Sequence, residues 1–176
     1  MLIRKNKNYK EKAPLGLKAI WITPLRALSI EIKQAAEKMI ADLELPLTVG
    51  IRTGDTSASD RAKQKTKMPD LLITTPESLQ LLLATKGYEK IFKNCEAIVV
   101  DEWHELLGTK RGVQMELALS RMKTIVPKLQ IWGISATIGN LEQAQEVLFG
   151  VNQNPEETIL VSANINKKIR LIGFFY

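Results

Sequence analysis

Short apolar runs alternate with polar or amphipathic segments along most of the chain. The five runs are KAIWIT (18–23), LTVGI (47–51), DLLIT (70–74), EAIVV (96–100) and LQIWGIS (129–135), and the sequence after each run fits a turn and a helix. Alternation of this kind is typical of a parallel sheet with helices on both faces. The sequence therefore predicts an α/β fold with a mostly parallel sheet.

The length and composition fit one globular domain. The chain has 176 residues, of which 45% are hydrophobic and 25% charged, and this is enough for a full core. A polar, turn-rich stretch, VNQNPEET, follows Gly150. We expect a basic leader over residues 1–17, a folded domain over 18–163, and a final piece, 164–176, that begins a linker or a second domain.

The charge and the rare residue types narrow the function classes. Lys and Arg number 25 against 19 Asp and Glu, so the net charge of +6 permits a polyanionic partner. A single cysteine, Cys95, rules out an internal disulfide, and a single histidine, His104, rules out a Cys/His zinc cluster. No apolar run approaches the roughly 20 residues of a membrane span. We expect a cytoplasmic protein without a membrane partner.

Two adjacent acids follow the fourth apolar run. Ligands of open parallel sheets gather at the carboxyl ends of strands, where Asp101 and Glu102 are expected with Ser135, while His104 follows two places later. Asp101 can hold the water shell of a nucleotide-bound Mg²⁺, and Glu102 can orient or deprotonate an attacking water. Alternatively, the two acids simply begin a helix, where the helix dipole favours them.

Three loops carry groups that suit phosphates. In TPLRALS (23–29), Arg26 and the amides of a helix N-terminus both favour an anion. In TTPESL (74–79), Thr75 is predicted to be an N-cap and Pro76 the first helical residue. Gly54 in RTGD permits close approach of a backbone. Taken alone, each loop is explained about equally well by an ordinary structural role. These roles are a cap or proline at a helix start, an arginine on a solvated face and a glycine in a turn.

Taken in order, these motifs resemble those of superfamily 2 DExH-box helicases, in particular the large helicase-related, ligase-associated group. DEWH (101–104) is similar to the DExH box, SAT (135–137) to motif III, and TPLRALS and TPESL to motifs Ia and Ib. The resemblance covers roughly residues 18–150 and implies a three-layer RecA-like domain of the P-loop NTPase type. It also implies a parent protein that uses ATP and Mg²⁺ and acts on single-stranded or partly duplex DNA, with RNA as the alternative.

The resemblance implies a role for each motif residue. Asp101 corresponds to the acid that holds Mg²⁺ through water, Glu102 to the catalytic base, and His104 to the residue that couples the nucleotide site to motif III. Trp103 is expected to pack rather than react. The coupling residues are Ser135, Ala136 and Thr137. The implied nucleic-acid contacts are Thr23, Pro24, Arg26, Gly54, Thr75, Pro76 and Arg111, the last through nucleic acid or a domain contact.

The sequence contains no match to the phosphate-loop signature G-x-x-x-x-G-K-[ST]. In the family this motif and its strand precede motif Ia, and a second RecA-like domain supplies arginine fingers. We therefore expect a domain incomplete at its N-terminus, weak or absent nucleotide binding, no meaningful ATP hydrolysis by the isolated chain, and self-association through an exposed sheet edge. A non-catalytic nucleic-acid-binding or interaction module is the alternative function. A flavodoxin-like or response-regulator-like domain is a weaker third.

Overall fold

A computed structural model describes residues 16–135, 141–150 and 158–161. These residues contain one sheet with the order β2-β3-β1-β4-β5, and every neighbouring pair of strands is parallel. The strands are β1 (Ala19–Ile22), β2 (Val49–Arg52), β3 (Leu71–Thr74), β4 (Ala97–Val100) and β5 (Gln130–Gly133). The predicted α/β class with a parallel sheet is confirmed, and each strand lies within or overlaps its apolar run.

Helices follow the strands as the alternation predicts. Local caps explain several of their starts, since Ser57, Thr75 and Thr109 each accept a hydrogen bond from a backbone N–H in the first turn. Within the described ranges, none of the helices has the length and hydropathy to cross a bilayer. The helices are α1 (Arg26–Asp42), α2 (Ala58–Thr66), α3 (Pro76–Leu83), α4 (Tyr88–Phe92), α5 (Lys110–Ile125) and α6 (Leu141–Phe149).

The main core lies under one face of the sheet. Strand residues of one parity, including Ile20, Leu72 and Ile98, are buried there against α3, α5 and α6. Residues of the other parity, such as Trp21 and Ile73, point to the opposite face, where α1 packs against β2 and β3. Helices therefore cover both faces, as the three-layer prediction requires.

The segment after β4 departs from the regular alternation. Instead of an α-helix over DEWHELL, the chain forms a single 3₁₀ turn, Trp103–Glu105. Glu102 precedes this turn in the left-handed region, with φ of 48°. The amide of Trp103 donates to the carbonyl of Ile134 at 3.0 Å, so the backbone here is tied to the end of β5 instead of continuing into a helix.

Strand β5 ends the sheet on the side of β4. Its residue Trp132 is 51% exposed, and the following Ile134 is 45% exposed. On the other face α6 packs closely, because a Cβ built on Gly133 would lie 2.5 Å from a methyl carbon of Leu148. The outer edge of β5 and one of its faces are thus open within the part of the chain that the structure describes.

A polar cluster fixes the amino ends of β1 and β3. The Nζ of Lys18 lies 2.6 Å from Oδ1 of Asp70, and both side chains are largely buried. The other carboxylate oxygen of Asp70 accepts hydrogen bonds from the amide and the hydroxyl of Thr48, at 3.0 and 2.8 Å. This cluster lies at the opposite end of the strands from the predicted site.

Candidate functional site

The predicted site residues gather at the end of the sheet where the carboxyl ends of its strands lie. Because all five strands are parallel, the loops after them emerge on the same side. Pro24 follows β1, Gly54 follows β2, Thr75 follows β3, Asp101 follows β4 and Ser135 follows β5. The sequence prediction that these motifs converge is therefore consistent with the topology. Ala136 and Thr137 lie outside the described residues.

Asp101 is held by three hydrogen bonds. Its amide donates to the carbonyl of Ile22 at 2.8 Å, which ties the residue to the end of β1. Its carboxylate accepts from the indole Nε1 of Trp21 at 3.2 Å and from the amide of Glu102 at 3.0 Å. Each oxygen accepts one protein hydrogen bond, so lone pairs remain for water or a cation.

Glu102 is placed by its backbone. A non-glycine residue in the left-handed region costs on the order of 1 to 3 kcal/mol and persists only where its surroundings fix it. The next residue, Trp103, fixes the conformation of Glu102, because its side chain is buried and donates from Nε1 to the carbonyl of Ala144 at 3.1 Å. The prediction that Trp103 packs is confirmed. The half-buried carboxylate of Glu102 then lies 3.4 Å from Nδ1 of His104.

His104 links two motifs. Its Nδ1 atom lies 3.0 Å from the hydroxyl of Ser135, and its Nε2 atom lies 3.5 Å from the carboxylate of Glu105. The imidazole is mostly buried, so its orientation is set by these polar neighbours. The residues of DEWH and the first residue of SAT are thus in direct contact.

The described residues contain no group of three or more His, Cys, Asp and Glu side chains that could hold a metal ion. Mg²⁺ in phosphoryl-transfer sites keeps several waters and takes only one or two carboxylates together with substrate phosphates. Asp101, with a fixed carboxylate and unused lone pairs, fits that single-acid arrangement.

The loop after β2 is tied to the start of α1. Arg26 lies 3.2 Å from the carboxylate of Asp55, and both side chains are mostly exposed. A Cβ built on Gly54 would lie 3.0 Å from the guanidinium of Arg26, so the glycine gives this side chain room. Sequence reasoning identified Arg26 and Gly54 but missed Asp55, whose pairing joins residues far apart in the chain.

A second arginine braces the same loop. Arg61 donates from Nη2 to the carbonyls of Thr53 and Gly54, at 3.2 and 2.9 Å. Burial, with a smaller contribution from the charge of Arg61, lowers the pKa of the nearby Arg52 guanidinium. Arg26 and Arg61 therefore both contact the RTGD loop, and Arg61 occupies the carbonyls of Thr53 and Gly54.

The threonines of the two Thr-Pro motifs are buried. Thr75 caps α3 by accepting from the amide of Ser78 at 3.4 Å, and Pro76 is the first helical residue, as predicted. Thr23 accepts from the amide of Leu25 at 3.3 Å. Both hydroxyls thus shape their own loops.

Arg111 joins two of the loops. Its Nε donates to Oε1 of Glu77 at 2.6 Å, and its Nη2 donates to the carbonyl of Pro24 at 2.9 Å. Burial raises the pKa of Glu77, but the hydrogen bond from Arg111 and further hydrogen bonds outweigh it, so the pKa lies below its usual range. Sequence reasoning missed Glu77, although it is part of the quoted TPESL motif.

The chain has recognisable relatives. A model of the DEAD/DEAH box helicase family matches residues 2–147. The ATP-dependent helicase Lhr-Core protein 2 of Thermococcus barophilus is 32% identical over 164 residues, which are 86% of this chain and 19% of that protein. The Lhr helicase/uracil glycosylase of Escherichia coli is 34% identical over 164 residues, covering 87% of this chain and 10% of that protein. The chain spans about a fifth of these relatives or less.

Solved structures agree with the sequence match. The Mycobacterium smegmatis helicase Lhr, bound to ssDNA and AMP-PNP, has a TM-score of 0.67 and 32% identity over 77% of this chain and 19% of its own. The DUF1998 helicase MrfA has a TM-score of 0.66 and 26% identity over 76% of this chain and 22% of its own. The predicted RecA-like helicase fold is confirmed. The chain belongs to the DEAD/DEAH box helicase family.

Proposed function

We propose that this chain forms part of the first RecA-like domain of an ATP-dependent DNA helicase, with the acid half of a Mg²⁺–ATP site and a track for a DNA backbone. The observation that carries the proposal is the contact of His104 with Ser135 beside Asp101 and Glu102. The loops after β1, β2 and β3 lie at the same end of the sheet.

The different surroundings of Asp101 and Glu102 suit the two acids to different roles. Asp101, fixed by Trp21 and by two backbone contacts, would orient the water shell of a nucleotide-bound Mg²⁺. When bound, the ion would neutralise charge on the phosphates. Glu102 would orient and deprotonate the attacking water, since its carboxylate is half-exposed at the same edge. His104 would couple this site to SAT through Ser135.

The loops after β1, β2 and β3 suit a sugar–phosphate chain. Arg26 is exposed beside the amino end of α1, and the first turn of α3 also presents backbone amides. Contacts of this kind hold the backbone without reading bases. The similar M. smegmatis helicase Lhr is bound to ssDNA in its solved structure, and this supports DNA as the ligand.

Titration of a labelled single strand tests the track. We expect the 176-residue chain to bind single-stranded DNA at low salt and to lose affinity as salt rises. Arg26→Ala should reduce the slope of log K against log salt by about 1. Lys38→Ala, which removes the same charge from an exposed position on the same helix, is the control. Undetectable binding at low salt would overturn the DNA-track proposal.

A chimera tests the acid pair. Because the sequence contains no phosphate-loop signature and the family takes its arginine fingers from a second RecA-like domain, the parts of the E. coli relative that lie on either side of its matched stretch would be joined to both ends of residues 18–163. We expect DNA-stimulated ATP hydrolysis, reduced by about 10² to 10⁴ in Glu102→Gln. Glu96→Gln, at the other end of β4, should leave turnover unchanged. Full activity of Glu102→Gln would remove this residue from its proposed role.

The second candidate is a non-catalytic nucleic-acid-binding module. The net charge of +6 favours it, because a basic surface suits a polyanion without any catalysis. The two assays separate the candidates, because this module would bind DNA while the chimera, although folded, would hydrolyse no ATP.

A further inference from the structure

Three segments that are distant in the chain meet at the side chain of Arg111. Glu77 lies 34 residues away at the start of α3, and Pro24 lies 87 residues away in the loop after β1. Arg111 contacts the first through Nε and the second through Nη2, which also lies 3.4 Å from Oε2 of Glu77. One guanidinium therefore joins the loops of both Thr-Pro motifs.

The planar guanidinium is required for this geometry. It presents several N–H donors at fixed angles and can bind a carboxylate and a carbonyl at once, whereas a lysine ammonium is a compact charge on a flexible stem. The two donors that contact protein, Nε and Nη2, form the side-on pair of the guanidinium, so these bonds compete with a side-on bidentate phosphate contact.

The base of Arg111 is also fixed. Thr109 caps α5 by accepting from the amide of Gly112 at 3.1 Å and donates to the carbonyl of Leu106 at 2.8 Å. A Cβ on Gly112 would lie only 2.1 Å from that same carbonyl oxygen. The start of α5 is therefore packed directly against the segment that follows DEWH.

We propose that Arg111 is a positioning residue, which holds the Pro24 loop and the start of α3 in the arrangement that binds a DNA backbone, and does not itself bind phosphate. This inference rests on the proposed DNA track. Glu77, as the ion-pair partner of Arg111, would be equally necessary for this arrangement of the loops, although it carries a negative charge at a site proposed for a polyanion.

The sign of one substitution separates positioning from direct binding. If Arg111 binds phosphate, Glu77→Gln removes a competing acid and should tighten binding of single-stranded DNA. If Arg111 positions the loops, Glu77→Gln weakens its hold on α3 and should weaken DNA binding, by up to about 5-fold, as expected for the loss of a partly exposed ion pair. Glu89→Gln, an exposed acid in the first turn of α4, is the matched control for charge.

A conservative variant gives the second comparison. Arg111→Lys keeps the charge but loses the fork, so we expect it to bind labelled oligothymidine about as weakly as Arg111→Ala does. Lys110→Ala, at the exposed neighbouring position, should have a smaller effect. Thermal melting of each variant confirms that it is folded. Near wild-type affinity of Arg111→Lys, or tighter binding by Glu77→Gln, would overturn the inference.

Amide hydrogen exchange tests, without DNA, whether Arg111 and Glu77 hold the two loops together. In the full chain, Arg111→Lys and Glu77→Gln should each speed amide exchange in the loop around Pro24 and in the first turn of α3, while the amides of β2 stay protected. Unchanged exchange at both loops would overturn the inference. If wild-type chain bound no DNA while exchange still responded, the DNA track would fail and the tie between the loops would stand.

Discussion

The Nδ1 atom of His104 lies 3.0 Å from the hydroxyl oxygen of Ser135, across 31 residues of sequence. Through this contact the turn after β4 meets the end of β5. The same imidazole nitrogen lies 3.4 Å from the carboxylate of Glu102. A change in the position of Ser135 would therefore reach the proposed catalytic base through one side chain.

A double-mutant cycle can measure this contact. We expect His104→Ala and Ser135→Ala to be non-additive in the free energy of unfolding by about 1 kcal/mol, the typical value of one net hydrogen bond. Urea denaturation of the two single variants and the double variant gives the coupling. Ser120→Ala, at an exposed position on α5, should combine additively with His104→Ala. Full additivity of the first pair would mean that the contact contributes nothing to stability.

Gly112→Ala should destabilise the domain although alanine is the better helix former. On propensity alone the change would stabilise α5 by up to about 1 kcal/mol. The new methyl group, however, would lie 2.1 Å from the backbone oxygen of Leu106, so the start of the helix must move. We expect a net loss of about 1 to 3 kcal/mol in the free energy of unfolding. Val113→Ala, exposed on the same helix, serves as the control, and an unchanged melting temperature for Gly112→Ala would contradict the packing argument.

The stability of the domain should depend on Asp70 at low pH. Burial raises the pKa of this carboxyl, but hydrogen bonds from Lys18 and Thr48 outweigh burial, so its pKa in the folded chain lies below the ordinary value of 3.8. Because the folded pKa is the lower one, the contribution is complete above about pH 3.8 and is lost as the pH falls through the folded value.

Comparison of wild type with Asp70→Asn isolates this effect. The difference in the free energy of unfolding should be largest near neutral pH, on the order of 2 kcal/mol, and should shrink toward pH 3. Asp42→Asn, at an exposed position near the end of α1, should show little difference at any pH. A difference for Asp70→Asn that stays constant with pH would contradict the assigned shift.

The open edge of β5 should support self-association. Among the described residues no strand pairs with the outer edge of β5, and Trp132 in this strand is exposed. An open strand edge favours pairing between copies, so we expect the sedimentation coefficient of the chain to rise with concentration. Trp132→Lys should reduce this association, as a charge on an edge strand opposes pairing. Leu117→Lys, at a comparably exposed position on α5, should not. A chain that stays monomeric at all concentrations would refute this expectation.

The sheet was predictable because its determinants are local. Each strand is a short apolar run, and the adjacent residues Thr75 and Pro76 are enough to predict the start of α3. The contacts that organise the site are of a different kind. Arg26 pairs with Asp55 and Arg111 with Glu77, and in each case the partners are about 30 residues apart without a pattern between them. Nor does a sequence signal identify Glu102 as left-handed, since that conformation is imposed by Trp103 and the end of β5.

The end of β1 and the loop that follows it contact both halves of the proposed site through carbonyl groups two residues apart. Ile22 accepts the amide of Asp101, and Pro24 accepts the guanidinium of Arg111. A displacement at this strand end would therefore move the proposed acid pair and the loops of the proposed DNA track together. Coupling between the proposed nucleotide site and the proposed DNA track would then need no long chain of contacts across the domain, because these two nearby carbonyl groups already contact both.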